Sequence, residues 1–351
     1  MLACYTVHLI LGNTIKQIRI KYQTIQKYIQ AAKKLYTDRN FPHPQAVVKE
    51  DLVKPLLQAV KSHEKITNRK EMIYDNMLAH MLKACRLASP DSLDAALLDW
   101  IILGRVTGAR RSEWCQESQT VEMTTPNLAH DSPEPRAFIL EDFEFFDSSE
   151  RRLYDIASAP LSTIDYVRIR WRYQKNNDNG QQISFKRDYT HPDVCPLLAA
   201  LRIYQRAQRL QVPSGTPLAV YSSSTSSSFR YITARRVVQF LRRSAQAAFN
   251  LRSDDKSLAS WTCHSIRVTA ANLLHRARMS DSYIQTRLRW KSTSFLMYLR
   301  NTFYSADEHT KALDISNRNL PDLQTTDGQR YRPPERHEEI LSTYQLAAAA
   351  A

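Results

Sequence analysis

Glycine is scarce in this sequence, with six residues among 351. Phosphate-cradling loops need glycine wherever backbone amides close on a ligand, and neither G-x-x-x-x-G-K nor G-x-G-x-x-G occurs. Nucleotide-loop enzymes are therefore disfavoured. Cysteine is sparse and dispersed: Cys4, Cys85, Cys115, Cys195 and Cys263 form no C-x-x-C pair. An odd, scattered set speaks against a disulfide framework and a zinc module, and predicts a reducing compartment. Long hydrophobic runs are missing too. The N-terminal MLACYTVHLILG is too short to span a bilayer and lacks the basic start of a secretory signal, so no membrane association is expected. It reads as the beginning of a helix in a domain expected to start further upstream. Acidic residues fall short of basic ones, with Asp+Glu 35 against Lys+Arg 49, a net charge of +14. That surplus points to a polyanionic partner.

What is present reads mostly as helix. From Ile15 to Tyr36 the residues Ile18, Tyr22, Ile25, Ile29, Ala32 and Tyr36 recur every three or four positions, the spacing of an amphipathic helix. Pro42 and Pro44 break it, and a second helix is expected over Asp51 to Lys61. The polar run Ser62 to Glu71 reads as a linker. Helices follow over Ile73–Leu87 and Leu93–Gly104, then TGARRSEW (Thr107 to Trp114) turns tightly at a glycine and feeds two arginines into another helical start. Phe138 to Phe146 reads as extended. Tyr166 to Gln174 alternates, with Val167, Ile169, Trp171 and Tyr173 on one face and Arg168, Arg170, Arg172 and Gln174 on the other. The turn KNNDNG and the return over Gln181–Arg187 make this a β-hairpin with a basic face and Lys175 at its tip. Val194–Leu210 is helical, and the serine run Ser222–Ser228 reads as a surface loop. Thr233 then caps a helix carrying Val237, Val238, Leu241 and Phe249, with Arg235, Arg236, Arg242 and Arg243 on its polar side. Three short helices are expected at 263–277, 282–289 and 294–303.

The chemistry concentrates between Cys263 and Arg300. His264 and Arg267 lie three residues apart and share a helix face, so a titratable ring and a planar fork of donors can meet one anion. Trp290 adds an indole donor and Tyr298 a hydroxyl nucleophile. Metal-free transesterification at a DNA phosphodiester needs such a set: arginines to neutralise the non-bridging oxygens, an oxygen nucleophile, and groups to move the protons. Arg110, Lys175, His264, Arg267, Trp290 and Tyr298 supply candidates for each part, and no His/Cys or carboxylate cluster argues for a metal.

These motifs resemble those of the tyrosine recombinase/integrase family. TGARRSE is similar to its first arginine motif, T-G-x-R-x-S-E; HSIRVTA is similar to the second, H-x-L-R-x-T; and RLRW matches the L-G-H/W element before the tyrosine. The wording RWKSTSFLMYLR is most similar to the Crypton and DIRS-like recombinases of eukaryotic mobile elements. The resemblance runs from about Asn68 to Phe303, and it implies that Arg110 and Arg267 clamp the scissile phosphate. It further implies that His264 assists proton transfer, Trp290 donates to a phosphate oxygen, Lys175 protonates the leaving 5′ oxygen, Tyr298 forms the 3′-phosphotyrosine link, and Glu113 supports the first arginine. In most of the family the tyrosine lies nine residues after the His/Trp, whereas Tyr298 lies eight after Trp290. One residue rotates a helical position by about 100°, so Tyr304 stays open as the nucleophile, as does Lys186 in place of Lys175.

The expected fold is mainly α with a small antiparallel sheet: a two-domain DNA clamp. A helical core-binding domain would occupy residues 1–66, an integrase-like catalytic domain 67–318, and a disordered tail 319–351. Arg168, Arg170, Arg172, Arg235, Arg236, Arg242 and Arg243 are expected to contact DNA. The resemblance implies no metal and no cofactor, double-stranded DNA as partner, dimer-to-tetramer assembly on it, a nuclear location, and mobilisation of a transposable element. A catalytically silent DNA-binding protein and a type IB topoisomerase-like relaxing enzyme are the competing readings.

Overall fold

The computed structural model describes residues 2–12, 20–41, 52–63, 69–124, 133–174, 179–223, 228–291, 295–296 and 299. Among them the protein is mainly helical with two small antiparallel sheets, the class expected. Contacts gather into two compact units, residues 1–69 and 70–351.

The first unit holds α1 (Leu2–Ile10), α2 (Tyr22–Asp38) and α3 (Val53–His63). Its core joins Leu2, Leu9, Ile25, Ile29 and Val53. Of the helix expected over Ile15–Tyr36, residues 15–19 lie outside the described residues, and α2 starts at Tyr22. Lys21 is extended (φ −70°, ψ 152°) and its carbonyl accepts from Thr24 and Ile25, closing the first turn there. The apolar spacing that suggested a longer helix is carried by Ile25 and Ile29, which are buried.

The second unit is built round α5 (Leu93–Thr107), which follows α4 (Asp75–Cys85). The sequence LDAALLDWIILGRVT is apolar on all sides, and such a helix is stable only where every side is covered. Ser92 caps it, accepting from the Ala95 amide. It packs against α7 (Pro196–Arg209) and α9 (His264–Arg276). Gly104 makes the second contact possible, because a Cβ there would lie 2.6 Å from Ile266 Cγ2. Towards α7, buried Asp99 accepts from Arg202 Nε and Arg206 Nη2, each at 2.5 Å. Stacked and edge-on aromatics (Trp100, Trp114, Phe138, Phe143, Trp171) fill the core below α6 (Arg111–Trp114).

The larger sheet runs β2 (Arg152–Leu153), β1 (Phe143–Phe146), β3 (Tyr166–Trp171), β4 (Gln181–Lys186), all neighbours antiparallel. Val167, Ile169 and Trp171 face the core as the alternation predicts. The expected continuous strand 138–146 is interrupted, because Leu140–Asp142 forms a 3-10 turn in which Asp142 accepts from the Ile139 amide. The run read as a surface loop, Ser222–Ser228, lies between two short strands absent from the sequence reading, β5 (Val220–Ser222) and β6 (Phe229–Tyr231), which pair antiparallel; residues 224–227 lie outside the described residues. α8 (Ala234–Phe249) starts after Thr233 as expected, although the Thr233 side chain makes no cap bond. The helix expected over 282–289 is α10 (Asp281–Arg287), which stops two residues earlier because Arg289 adopts φ +58°. All five cysteines are free thiols. Lys175, Tyr298, Tyr304, most of the helix expected at 294–303 and the expected tail lie outside the described residues.

Candidate active site

The site begins where α5 ends. Gly108 takes φ +58° and closes the helix, its amide donating to the Gly104 carbonyl at 2.8 Å. A Cβ at Gly108 would meet Leu288 Cδ2 at 2.9 Å, so the turn and the close approach both require glycine. The chain then enters α6 through Arg110. The Arg110 amide donates to Glu113 Oε2 and its Nη1 to Oε1, both at 2.8 Å. Glu113 is buried and accepts two further bonds, from Trp171 Nε1 at 3.1 Å and Arg289 Nη2 at 3.0 Å. A carboxylate taken out of water is tolerable only with this degree of compensation.

α9 supplies the second arginine. His264 is its first residue and Arg267 lies one turn on. Arg267 is 4% exposed. Its Nη1 donates to the Gly108 carbonyl at 2.7 Å, 159 residues back in the chain, and its Nη2 to the Leu288 carbonyl at 2.9 Å. The guanidinium sits 4.6 Å from the centre of the Trp290 ring, which stacks on Phe295 at 5.4 Å. Arg267 thus ties the TGAR turn to the LRW segment. Burial, then the charges of Arg267 and Lys70, push His264 down to about 4. At neutral pH it is an uncharged ring with an acceptor nitrogen, able to accept a hydrogen bond without adding positive charge.

A third arginine completes the corner, one that the sequence reading passed over as the residue between Leu288 and Trp290. Arg289 donates to Glu113 and, through Nη1, to the Thr107 carbonyl at 3.2 Å. Its guanidinium lies 3.9 Å from the Trp171 ring centre, and its own carbonyl accepts from Arg110 Nη2 at 3.3 Å. Burial pulls it down to about 10, so it stays charged at neutrality. The available signal was the arginine in RLRW where the resembled motif carries glycine. Two guanidinium groups, Arg110 and Arg289, thus pair with one carboxylate, and Arg267 is tied to the same corner through the Gly108 and Leu288 carbonyls, leaving a positive surplus suited to an anion.

The structure therefore gathers Arg110, Glu113, Arg267 and Trp290, with His264 one turn from Arg267. Lys186 is not among them. It pairs with Tyr166 at the far end of β3 and faces outward, with its Nζ 3.8 Å from Asp165. Trp171, which reaches Glu113, pairs with Gln181 at the other end of the ladder, five residues or about 16 Å along the strand. The outward arginines of β3 are paired with acids: Arg168 with Glu144 at 3.7 Å and Arg170 with Asp142 at 3.4 Å. Arg172 lies beyond the end of β3 and is 12% exposed, held by Asp142 at 2.7 Å and Glu134 at 3.1 Å. On α8, Arg242 donates to the Trp261 carbonyl and Arg243 pairs with Asp94 at 2.7 Å, while Arg235 and Arg236 are exposed.

Among the described residues no group of three or more His, Cys, Asp or Glu side chains converges as a metal site. None of the described helices is long and apolar enough to cross a membrane.

No family model matches the chain, and no curated protein sequence does. Among solved structures it is similar to the Tn1549 transposon integrase in complex with transposon right end DNA. The identity is 12% and the TM-score 0.44, over 89% of this chain and 84% of that one. It is similar to XerA recombinase at 11% identity and TM-score 0.37, over 89% and 97% of the two chains. A lambda integrase dimer bound to a COC′ core site gives 14% identity and TM-score 0.38, over 86% and 87%. Likenesses at this level leave activity to be judged from the site residues.

Proposed function

We propose that the protein is a site-specific tyrosine recombinase, a DNA strand transferase working through a covalent 3′-phosphotyrosine intermediate. One observation carries this reading. Arg110 and Arg267, from segments far apart in sequence, are stitched to the same corner through Gly108, Leu288 and Arg289 around a buried Glu113. Neutral His264 and the Trp290 indole lie on the Arg267 side of that corner. The two guanidiniums would neutralise the non-bridging oxygens as charge builds in the transition state. Tyr298 would attack phosphorus, forming the P–O(Tyr) bond as the bond to the 5′ oxygen breaks. His264 would assist removal of the tyrosine proton, and Lys175 would protonate the departing 5′ hydroxyl. Attack by a 5′ hydroxyl from another strand reverses the step and rejoins the DNA.

Residues 1–66 would grip the duplex as a core-binding domain and 67–318 would cut it, as two arms of a clamp, with tetramers acting on two sites. The exposed Arg235 and Arg236 are the strongest candidates for phosphate contacts outside the site. The similarity to Crypton and DIRS-like motifs supports a mobile-element role in a nucleus. The test is a nicked suicide duplex carrying candidate element ends, resolved by denaturing gel. A covalent adduct lost in Tyr298→Phe and kept in Tyr304→Phe is expected. The reverse pattern would move the nucleophile to Tyr304. Absence of adduct with every duplex, while binding persists, would replace enzymatic activity with DNA binding alone.

A further inference from the structure

We propose that Arg289 is a positioning residue that frees and aims Arg110 for the phosphate by neutralising Glu113, a role that rests on the strand-transfer reading above. Arg289 itself cannot meet DNA in this arrangement, since its side chain is 1% exposed. Its hydrogen bonds to Glu113 and Thr107 both reach the surroundings of Arg110. Its Nη2 holds the same Glu113 carboxylate that receives the Arg110 amide and Nη1. Its backbone carbonyl receives Arg110 Nη2. Its Nη1 fixes the Thr107 carbonyl at the start of the turn that delivers Arg110. Both arms of the Arg110 fork are therefore held by groups that Arg289 fixes or owns.

The electrostatic consequence follows from counting charges. With Arg110 alone, the buried carboxylate would cancel the guanidinium meant for the phosphate. With Arg289 paired to Glu113, the charge of Arg110 is left to act on an incoming anion. The placement carries two costs that a merely space-filling residue would avoid. The backbone sits at φ +58°, where side chains are strained and glycine is not. The guanidinium is also stripped of water, compensated by the Trp171 face at 3.9 Å. Glycine at this position would provide the turn and the carbonyl but not the charge. That separates the proposed role from simple turn formation.

The experiment compares Arg289→Gly and Arg289→Lys with the full-length wild-type chain. Single-turnover cleavage of the suicide duplex gives a saturating rate and a half-saturating DNA concentration. For Arg289→Gly the saturating rate should fall about 100-fold, while half-saturation moves less than about 3-fold, since Arg289 touches no DNA. Millimolar guanidinium ion should restore part of that rate by occupying the vacated space beside Glu113. Arg289→Lys keeps the charge without the fork and should fall between the two. A second readout needs no cleavage: the side-chain Nε–Hε NMR signal of Arg110, assigned with Arg110→Lys. It should be dispersed and slow to exchange in the wild type and collapse to the exposed-arginine position in Arg289→Gly. If no wild-type adduct ever forms, the strand-transfer reading fails while the Arg110 signal still reports the coupling. If Arg289→Gly keeps both the wild-type rate and the wild-type Arg110 signal, the proposal is overturned. Should Arg289→Gly fail to fold, Arg289→Lys decides: a wild-type rate overturns the proposal, and a reduced rate at unchanged melting temperature supports it.

Discussion

Two groups of arginines in this protein are paired with acids, and they are built on opposite terms. On the outer face of the sheet, Arg168 and Arg170 are 42% and 45% exposed and pair with Glu144 and Asp142 at 3.7 and 3.4 Å. In the corner between α5, α6 and α9, Arg110 and Arg289 share buried Glu113, and the almost wholly buried Arg267 and Arg289 place their Nη donors on backbone carbonyls and that carboxylate. Exposed pairs cost little to make and contribute little, because water screens them and long side chains lose entropy in forming them. Buried arginines cost far more to desolvate and persist only where their charge is compensated by close partners. The pairing on the sheet face is local convenience. The pairing in the corner holds three separate chain segments in one geometry.

The contrast can be broken most severely at Glu113. Glu113→Gln leaves Arg110 and Arg289 beside a neutral amide and should destabilise the second unit by about 3–5 kcal/mol, read from chemical denaturation. A loss below about 1 kcal/mol would mean that the corner is no more demanding than the surface. Next comes Arg267→Ala, which orphans the Gly108 and Leu288 carbonyls and removes the proposed phosphate ligand. Adduct formation should drop about 10²–10³-fold, and rates within a factor of a few of wild type would remove Arg267 from the site.

His264 gives a pH-dependent test. Its folded value of about 4 lies below the ordinary 6.5, so between these pH values the unfolded chain binds a proton that the folded chain refuses. The stability gained by keeping it neutral is present in full above 6.5 and is lost as pH falls towards 4. The amount is on the order of 3 kcal/mol. An NMR titration of the His264 ring should show the low midpoint, and Arg267→Gln should raise it; a midpoint near 6.5 would contradict the burial. The smallest effect is expected on the sheet, where Arg168→Ala should change stability by no more than about 0.5 kcal/mol. A larger loss by the same denaturation assay would erase the distinction between the two groups.

Much of this corner could be seen before any fold was known. The motifs around Arg110, His264, Arg267 and Trp290 were legible because each depends on local order: a glycine turn, a helix start, a one-turn spacing. Glu113 was legible as the partner three residues after Arg110. Arg289 was not, because nothing nearby in sequence reveals that an arginine at a turn will point inward. Its partners Thr107, Glu113 and Trp171 are contributed by distant segments. The neutralisation of Arg172 was hidden for the same reason, since Asp142 and Glu134 lie about thirty residues earlier. The short strands β2, β5 and β6 escaped notice because two or three residues carry no readable period.

Local chemistry, then, was written into the order of residues: helices from their apolar stripes, turns from Gly108, the hairpin from its alternation, a basic surplus from the count of charges. Which charges survive as free charges was settled only by folding. Burial and distant neighbours determine what an arginine meets: Arg170 and Arg172 share Asp142 at the sheet, and Arg110 and Arg289 share buried Glu113 in the corner. Electrostatic free energy depends on separation and on exclusion of water, and neither is a property of position along the chain.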